Sequence, residues 1–218
     1  MAVAAVHSLG RIPRKRVDKF AERRTELAEA AFVTLAELGY ARTSLREIAQ
    51  NSAFTHGVLH YYFTDKVDLI ICCVRLYKAR CVTRYDRIIA EAGSYDSLCD
   101  GFLDALAATM RDEAQLHRLW YDLRAQALYE PGLRVDILDI DHSLEAMIWR
   151  VLDRFAEVTG VATPIPSALA YATFDGLFQQ CLLQYLAGDD GAVTRMVANA
   201  RLTLEALYRG ETETRRGS

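Results

Sequence analysis

The chain has 218 residues, 51% of them hydrophobic, a formal charge of −3 and five cysteines. That apolar content is enough to bury a core without metals or cross-links, which excludes a disordered chain. No uncharged run approaches the roughly 20 residues that span a bilayer, and the front lacks the apolar stretch of a signal peptide, so a soluble, cytoplasmic protein with no membrane partner is expected.

Cys72, Cys73, Cys81, Cys99 and Cys181 lack the spacing of a disulfide framework or of a paired CxxC zinc site, and reduced, structural thiols are expected. The charge is uneven. Residues 1–66 carry ten Lys/Arg against seven Asp/Glu, or +3, while residues 67–218 carry sixteen against twenty-two, or −6. This suits a small part that meets an anion and a larger part that does something else, although a basic tail followed by an ordinary charged helix has the same composition.

In chain order, residues 1–16 read as a disordered basic arm. A first helix is predicted from Val17 to Leu38, with Phe20, Leu27, Ala31, Leu35 and Leu38 on one stripe and Gly39 as its left-handed cap. A short second helix starts at Ser44, which forms an S-x-x-E capping box with Glu47. After the turn "NSAF", Thr55 caps a third helix. A long helix is predicted from Asp65 to about "EAGSYD", then two shorter ones between Ser94 and Ala127, another long one from "YEPGL" to "TGVATP", and two more over about 166–186 and 190–208. Residues 211–218 read as a disordered tail. The expected fold is all-α, with a helix-turn-helix over 17–66 and a larger helical part over 67–210.

The stretch "THGVLHYYF" carries the clearest functional signal. On a helical wheel Thr55, Leu59, Tyr62 and Phe63 share one arc, leaving His56, Gly57, His60 and Tyr61 on the other. An exposed arc of rings and hydrogen-bonding groups, relieved of bulk at Gly57, suits a recognition helix in a DNA major groove. Lys66 lies in the first turn of the next helix, where it opposes the macrodipole, so either an external phosphate offsets it or the side chain projects into water.

The run from "FAERRTELAEAAFVTLAELGYARTSLREIAQ" through "NSAF" to "THGVLHYYFTDKVDLI" resembles the TetR family of transcriptional regulators, and "RLWYDLRAQALYEPGLR" resembles the ligand domain of its BetI-like branch. The resemblance implies that Thr43 or Ser44, Tyr61, Tyr62 and Lys66 touch phosphates, while Thr55, His56, Gly57 and Val58 face bases. His60 stands where the family has a tyrosine. It can replace that phosphate contact, better when protonated, so weaker DNA binding with rising pH is expected. His56 and His60 at i, i+4 could pair on a metal, but no third ligand is near, and no metal or cofactor is expected.

The resemblance further implies a homodimer on an inverted-repeat, double-stranded operator, with a small-molecule ligand. "SALAYATFDGLFQQCLLQYL" is apolar nearly all round. It and the last helix would form a dimer interface of Phe174, Leu177, Phe178, Cys181, Leu182, Val197 and Leu204, the alternative being an intrachain core. Trp120, Tyr121, Arg124, Tyr129 and Trp149 would line a ligand pocket. No GxSxG, HExxH, P-loop or dinucleotide fingerprint is present, and no enzymatic activity is expected. The functional expectation is a ligand-responsive DNA-binding regulator, acting as a repressor. A helical small-molecule-binding protein that does not read DNA is the alternative.

Overall fold

The computed structural model describes residues 14–40 and 42–209, with side chains from Lys19 onward. Most of the expected basic arm (1–13) and the whole expected tail lie outside the described residues. Arg14–Arg16, assigned to that arm, already belong to the first helix. The described residues form nine helices and no strand.

The first helix, α1 (Arg14–Leu38), buries Leu27, Ala28, Ala31 and Leu35 along one stripe and stops at Gly39, whose φ of +76° is the left-handed conformation that favours glycine. Three helices follow: α2 (Leu45–Gln50), α3 (His56–Tyr62) and α4 (Lys66–Cys81). Ser44 caps α2 by accepting from the Glu47 N–H at 3.2 Å, but only this half of the expected capping box forms.

Two expectations for the middle of the chain are corrected. The helix predicted from Asp65 to "EAGSYD" breaks after Cys81 and resumes as α5 (Asp86–Glu91). At the break the Thr83 hydroxyl donates to the Arg80 carbonyl, Arg150 donates to the Val82 carbonyl, and Arg84 turns inward to Thr109 and Glu113. These bonds give the backbone and side chains partners that a continuous helix would not. Conversely, the two helices predicted between Ser94 and Ala127 are one, α6 (Tyr95–Gln126), bent at Glu113 (φ −127°, ψ 18°). The Glu113 carboxylate at the bend accepts from Tyr77 and Arg84.

The rest follows the predicted pattern: α7 (Pro131–Thr159), α8 (Ser167–Leu186) and α9 (Ala192–Tyr208). Helix α6 is central, touching α1, α5, α7, α8 and α9, and its buried Phe102, Leu119 and Trp120 anchor the core. All five cysteines are free thiols, four buried and Cys72 half-buried. No described helix is long and apolar enough to cross a membrane.

Candidate functional site: a helix-turn-helix and a buried cavity

Helix α3 is short, and its neighbours fix its position. Thr55 accepts from the Val58 N–H at 3.3 Å to start it. Leu59 and Phe63 are buried beneath it, and Tyr62 packs against Phe20 with ring centres 4.8 Å apart. Arg24 on α1 locks the far end: it donates to the Tyr62 carbonyl at 3.0 Å and to Asp68 at 2.6 Å, and lies 4.7 Å from the centre of the Phe63 ring. Burial alone would raise the Asp68 carboxyl, but Arg24 and the Thr64 N–H and hydroxyl outweigh it and hold the group below the ordinary carboxylate range.

The outward face of α3 carries His56, Gly57, His60 and Tyr61, the last 72% exposed. The two imidazoles meet edge to face with centres 4.3 Å apart. A Cβ built on Gly57 would meet nothing within 4 Å, so no contact inside the chain requires a glycine there.

Three of the expected DNA contacts are placed differently. Thr43 is buried and its hydroxyl donates to the Gly39 carbonyl at 2.6 Å, so only the exposed Ser44 is outward at that end of α2. Val58 is half-buried against the core. Lys66 turns inward: its ammonium donates to the Tyr40 carbonyl at 3.2 Å and sits 3.9 Å from the centre of the Tyr40 ring. The offset to the helix dipole therefore comes from inside the chain. Exposed Arg42 and Arg46, which flank Ser44 and have no acceptor among the described residues, were not anticipated. Arg46 lies on the outer side of the six-residue α2 and Arg42 in the turn before it, and that placement was the available signal.

A second feature is a cavity of about 70 Å³ between α4, α6, α7 and α8. Trp120 and Tyr121 line it. Arg124 sits behind the wall, bonded to Asp175 and, at 3.1 Å, to Asp141, while Asp175 also accepts from the Tyr121 hydroxyl at 2.9 Å. Tyr129 is 81% exposed and Trp149 half-buried, and neither lines the cavity.

Lys78 and His117 do line it and were missed. Lys78 interrupts the apolar stripe Val74, Tyr77, Cys81 of α4, and a lysine on a core-facing stripe was the signal. Burial pushes the Lys78 ammonium down to about 8, and burial, with Lys78 and Arg84 nearby, holds the His117 imidazole well below its usual range. Cys81, Glu113 and His117 bring potential metal-ligand atoms within 4.8 Å of one another. Arg84, however, binds the Glu113 carboxylate and lies 3.8 Å from the Cys81 sulfur, so a guanidinium already fills the cation position.

The expected dimer residues need the largest correction. Phe174, Phe178, Cys181, Leu182 and Leu204 are buried within the chain itself, and Leu177 and Val197 are half-buried. The large apolar side chains left exposed on α8 and α9 are instead Leu169, Leu183, Leu186 and Leu202, with Leu183 73% exposed. Because α8 is apolar on every side, its periodicity does not show which face meets the core. Gly176 is exposed, and a Cβ there would also meet nothing within 4 Å.

Residues 27–71 match the sequence profile of bacterial regulatory proteins of the tetR family. Over 129 residues the chain is 28% identical to the HTH-type transcriptional regulator BetI of Stenotrophomonas maltophilia, a match that covers 56% of this chain and 62% of that protein. The chain thus aligns with less than two thirds of that relative's length. Its fold is similar to a TetR transcription regulator from Haloarcula marismortui (TM-score 0.65, 20% identity, 87% of this chain and 98% of that one). It is equally similar to the regulator FadR of Bacillus subtilis, solved with stearoyl-CoA (TM-score 0.65, 20% identity, 85% and 97%). Residues 27–71 thus match the helix-turn-helix profile of the tetR family, and the fold over most of the chain is similar to that of solved TetR-type regulators.

Proposed function

We propose that the protein is a cytoplasmic, sequence-specific DNA-binding transcriptional regulator that acts as a dimeric repressor and leaves its operator when a small molecule fills the cavity. The observation that carries this reading is the outward face of α3. A glycine inside a helix costs about 1 kcal/mol relative to alanine, and none of the described residues packs where a Gly57 side chain would be. That open space supports a close approach from outside the chain, and imidazole and phenol groups around it suit base edges and phosphates. Ser44, Thr55, His56, His60 and Tyr61, with Arg42 and Arg46, form the DNA-facing set.

Gly57→Ala should therefore stabilise the fold by about 0.5–1 kcal/mol and weaken DNA binding by about tenfold or more. Thermal melts and fluorescence anisotropy on the same preparation check both signs, and unchanged affinity would remove the close-approach argument.

The cavity and α3 share supports. Helix α4 begins at Lys66, against Tyr40, and reaches the cavity at Lys78. Helix α6 carries Trp120 and Tyr121 in the cavity wall, and on either side of them Arg118 donates to the Ala36 and Glu37 carbonyls while Asp122 accepts from the Tyr40 N–H at 2.8 Å. A shift of α6 would move the end of α1, and so α3. To move the population from 99:1 to 1:99, the ligand must prefer the released state by about 10⁴-fold.

For dimerisation the exposed face of α8 and α9 is the proposed interface, with Gly176 allowing a partner helix to approach closely. Leu183→Arg should give a monomer by light scattering, with a stable fold and binding to an inverted repeat at least about tenfold weaker, since a desolvated charge would stand in the interface. A dimer that survives would move the interface elsewhere.

The direct test is anisotropy on a labelled duplex of arbitrary sequence between about 50 and 200 mM salt, where phosphate contacts should give a steep fall in affinity. No binding at the lower salt would favour a ligand-binding protein that does not use DNA.

A further inference from the structure

Lys78 is 3% exposed, and its ammonium lies 4.7 Å from the centre of the Trp120 ring and 5.3 Å from that of Tyr77. Among the described residues no carboxylate, carbonyl or hydroxyl accepts a hydrogen bond from it, although an ammonium carries three donors. The charges that face it are already matched. Glu113 on α6 is bonded to Arg84, which follows α4, and Asp175 on α8 is bonded to Arg124 and Tyr121. Cys81 and Tyr77 on α4, His117 on α6, Tyr85 before α5 and Tyr171 on α8 are the other titratable groups around it. Two further polar atoms of the same wall, His117 Nε2 and the Trp120 Nε1–H donor, are buried without a partner among the described residues. A buried cation with aromatic rings but no acceptor is a costly arrangement unless an anion completes it.

We propose that this cavity binds a small organic carboxylate, with the anionic group seated against Lys78 and the apolar body against Leu106, Leu144, Met147 and Ile148. This deepens the effector-site reading by naming the ligand's chemical class. The aromatic walls would otherwise suit a quaternary ammonium, but the cation position over Trp120 is held by Lys78 itself, and a second cation would be repelled. The volume of about 70 Å³, roughly half of the ~150 Å³ that takes a benzene ring, favours a short acid, and a ring would fit only if the walls yield.

Protonation adds a signature. The carboxylate pairs with the ammonium form, so binding raises the proton affinity of Lys78, takes up protons near pH 8, and weakens as pH rises above that value.

The experiment is titration of the purified full chain, without DNA, with butyrate, benzoate, butyramide, benzamide and tetramethylammonium, followed by tryptophan fluorescence and calorimetry. At pH 7 one of the two acids should bind saturably, at least about tenfold more tightly than its amide, and about tenfold more weakly at pH 9.5. Lys78→Met should abolish the preference for acid over amide. If that variant fails to fold, the pH profile and proton uptake of the native chain decide.

Equal affinity for acid and amide, tighter binding of tetramethylammonium, a flat pH profile, or no saturable response to either acid up to about 10 mM would each overturn the proposal. Because no DNA enters the titration, its failure leaves the DNA-binding reading untouched, and the failure of DNA binding leaves this result standing.

Discussion

Phe63→Ala is expected to lose about 3–5 kcal/mol of stability, the usual cost of emptying a fully buried phenylalanine site, and with it DNA binding. Phe63 is 1% exposed, it caps α3 by donating its N–H to the Leu59 carbonyl at 2.9 Å, and its ring lies under the Arg24 guanidinium that also holds the Tyr62 carbonyl. Removing the ring leaves a void and loosens Arg24, a long side chain that ties α3 to both α1 and α4. For a chain of this size the melting temperature should fall by about 6–20 °C. Tyr61→Ala provides the contrast: with its ring exposed, it should change stability by under about 0.5 kcal/mol while still weakening DNA binding. A Phe63→Ala protein that melts within about 2 °C of the native one would contradict the packing account.

Asp175→Ala should be the most damaging change behind the cavity, costing about 2–4 kcal/mol. Its carboxylate is only 14% exposed and joins Arg124 to Tyr121, while Arg124 reaches on to Asp141, which in turn accepts from the Tyr171 hydroxyl at 2.6 Å. The substitution strands a guanidinium beside one remaining carboxylate and leaves the Tyr121 hydroxyl only the long bond to the residue-175 carbonyl, at 3.4 Å. Because the Arg124 side chain is 34% exposed, solvent screens part of the loss, which places the effect near the lower end of that range. Asp175→Asn, which can still accept from Tyr121, should recover part of the difference in the same thermal melt. If both variants melt like the native chain, the network does not hold α6, α7 and α8 together.

The parts of this molecule that the sequence made legible are those where local rules act alone. Gly39 ends α1, Thr55 caps α3, and the alternation of buried Leu59 and Phe63 with exposed His56 and His60 follows from helical period. The sequence was least informative where tertiary partners decide. The bend at Glu113 and the break after Cys81 involve bonds to Tyr77, Arg84 and Arg150 that are remote in sequence or turned inward. Lys66 was read as either meeting an external phosphate or projecting into water, because its partner, Tyr40, lies twenty-six residues away. On α8 the apolar residues encircle the helix, so Phe174 and Phe178, placed at an interface, belong to the core, and Leu183 is the exposed residue. Of the residues put forward for a ligand pocket, Trp120 and Tyr121 line the cavity, whereas Lys78, which also lines it, was not singled out.

The central claim is that two copies of the α2–α3 unit read DNA together. Selection of bound duplexes from a random pool with the purified full chain at near-physiological salt, followed by sequencing, tests it most directly. The account predicts enrichment of an inverted repeat, the pattern that a two-fold dimer imposes on its site. No enrichment at either low or moderate salt, or enrichment of a single unrepeated half-site, would contradict it.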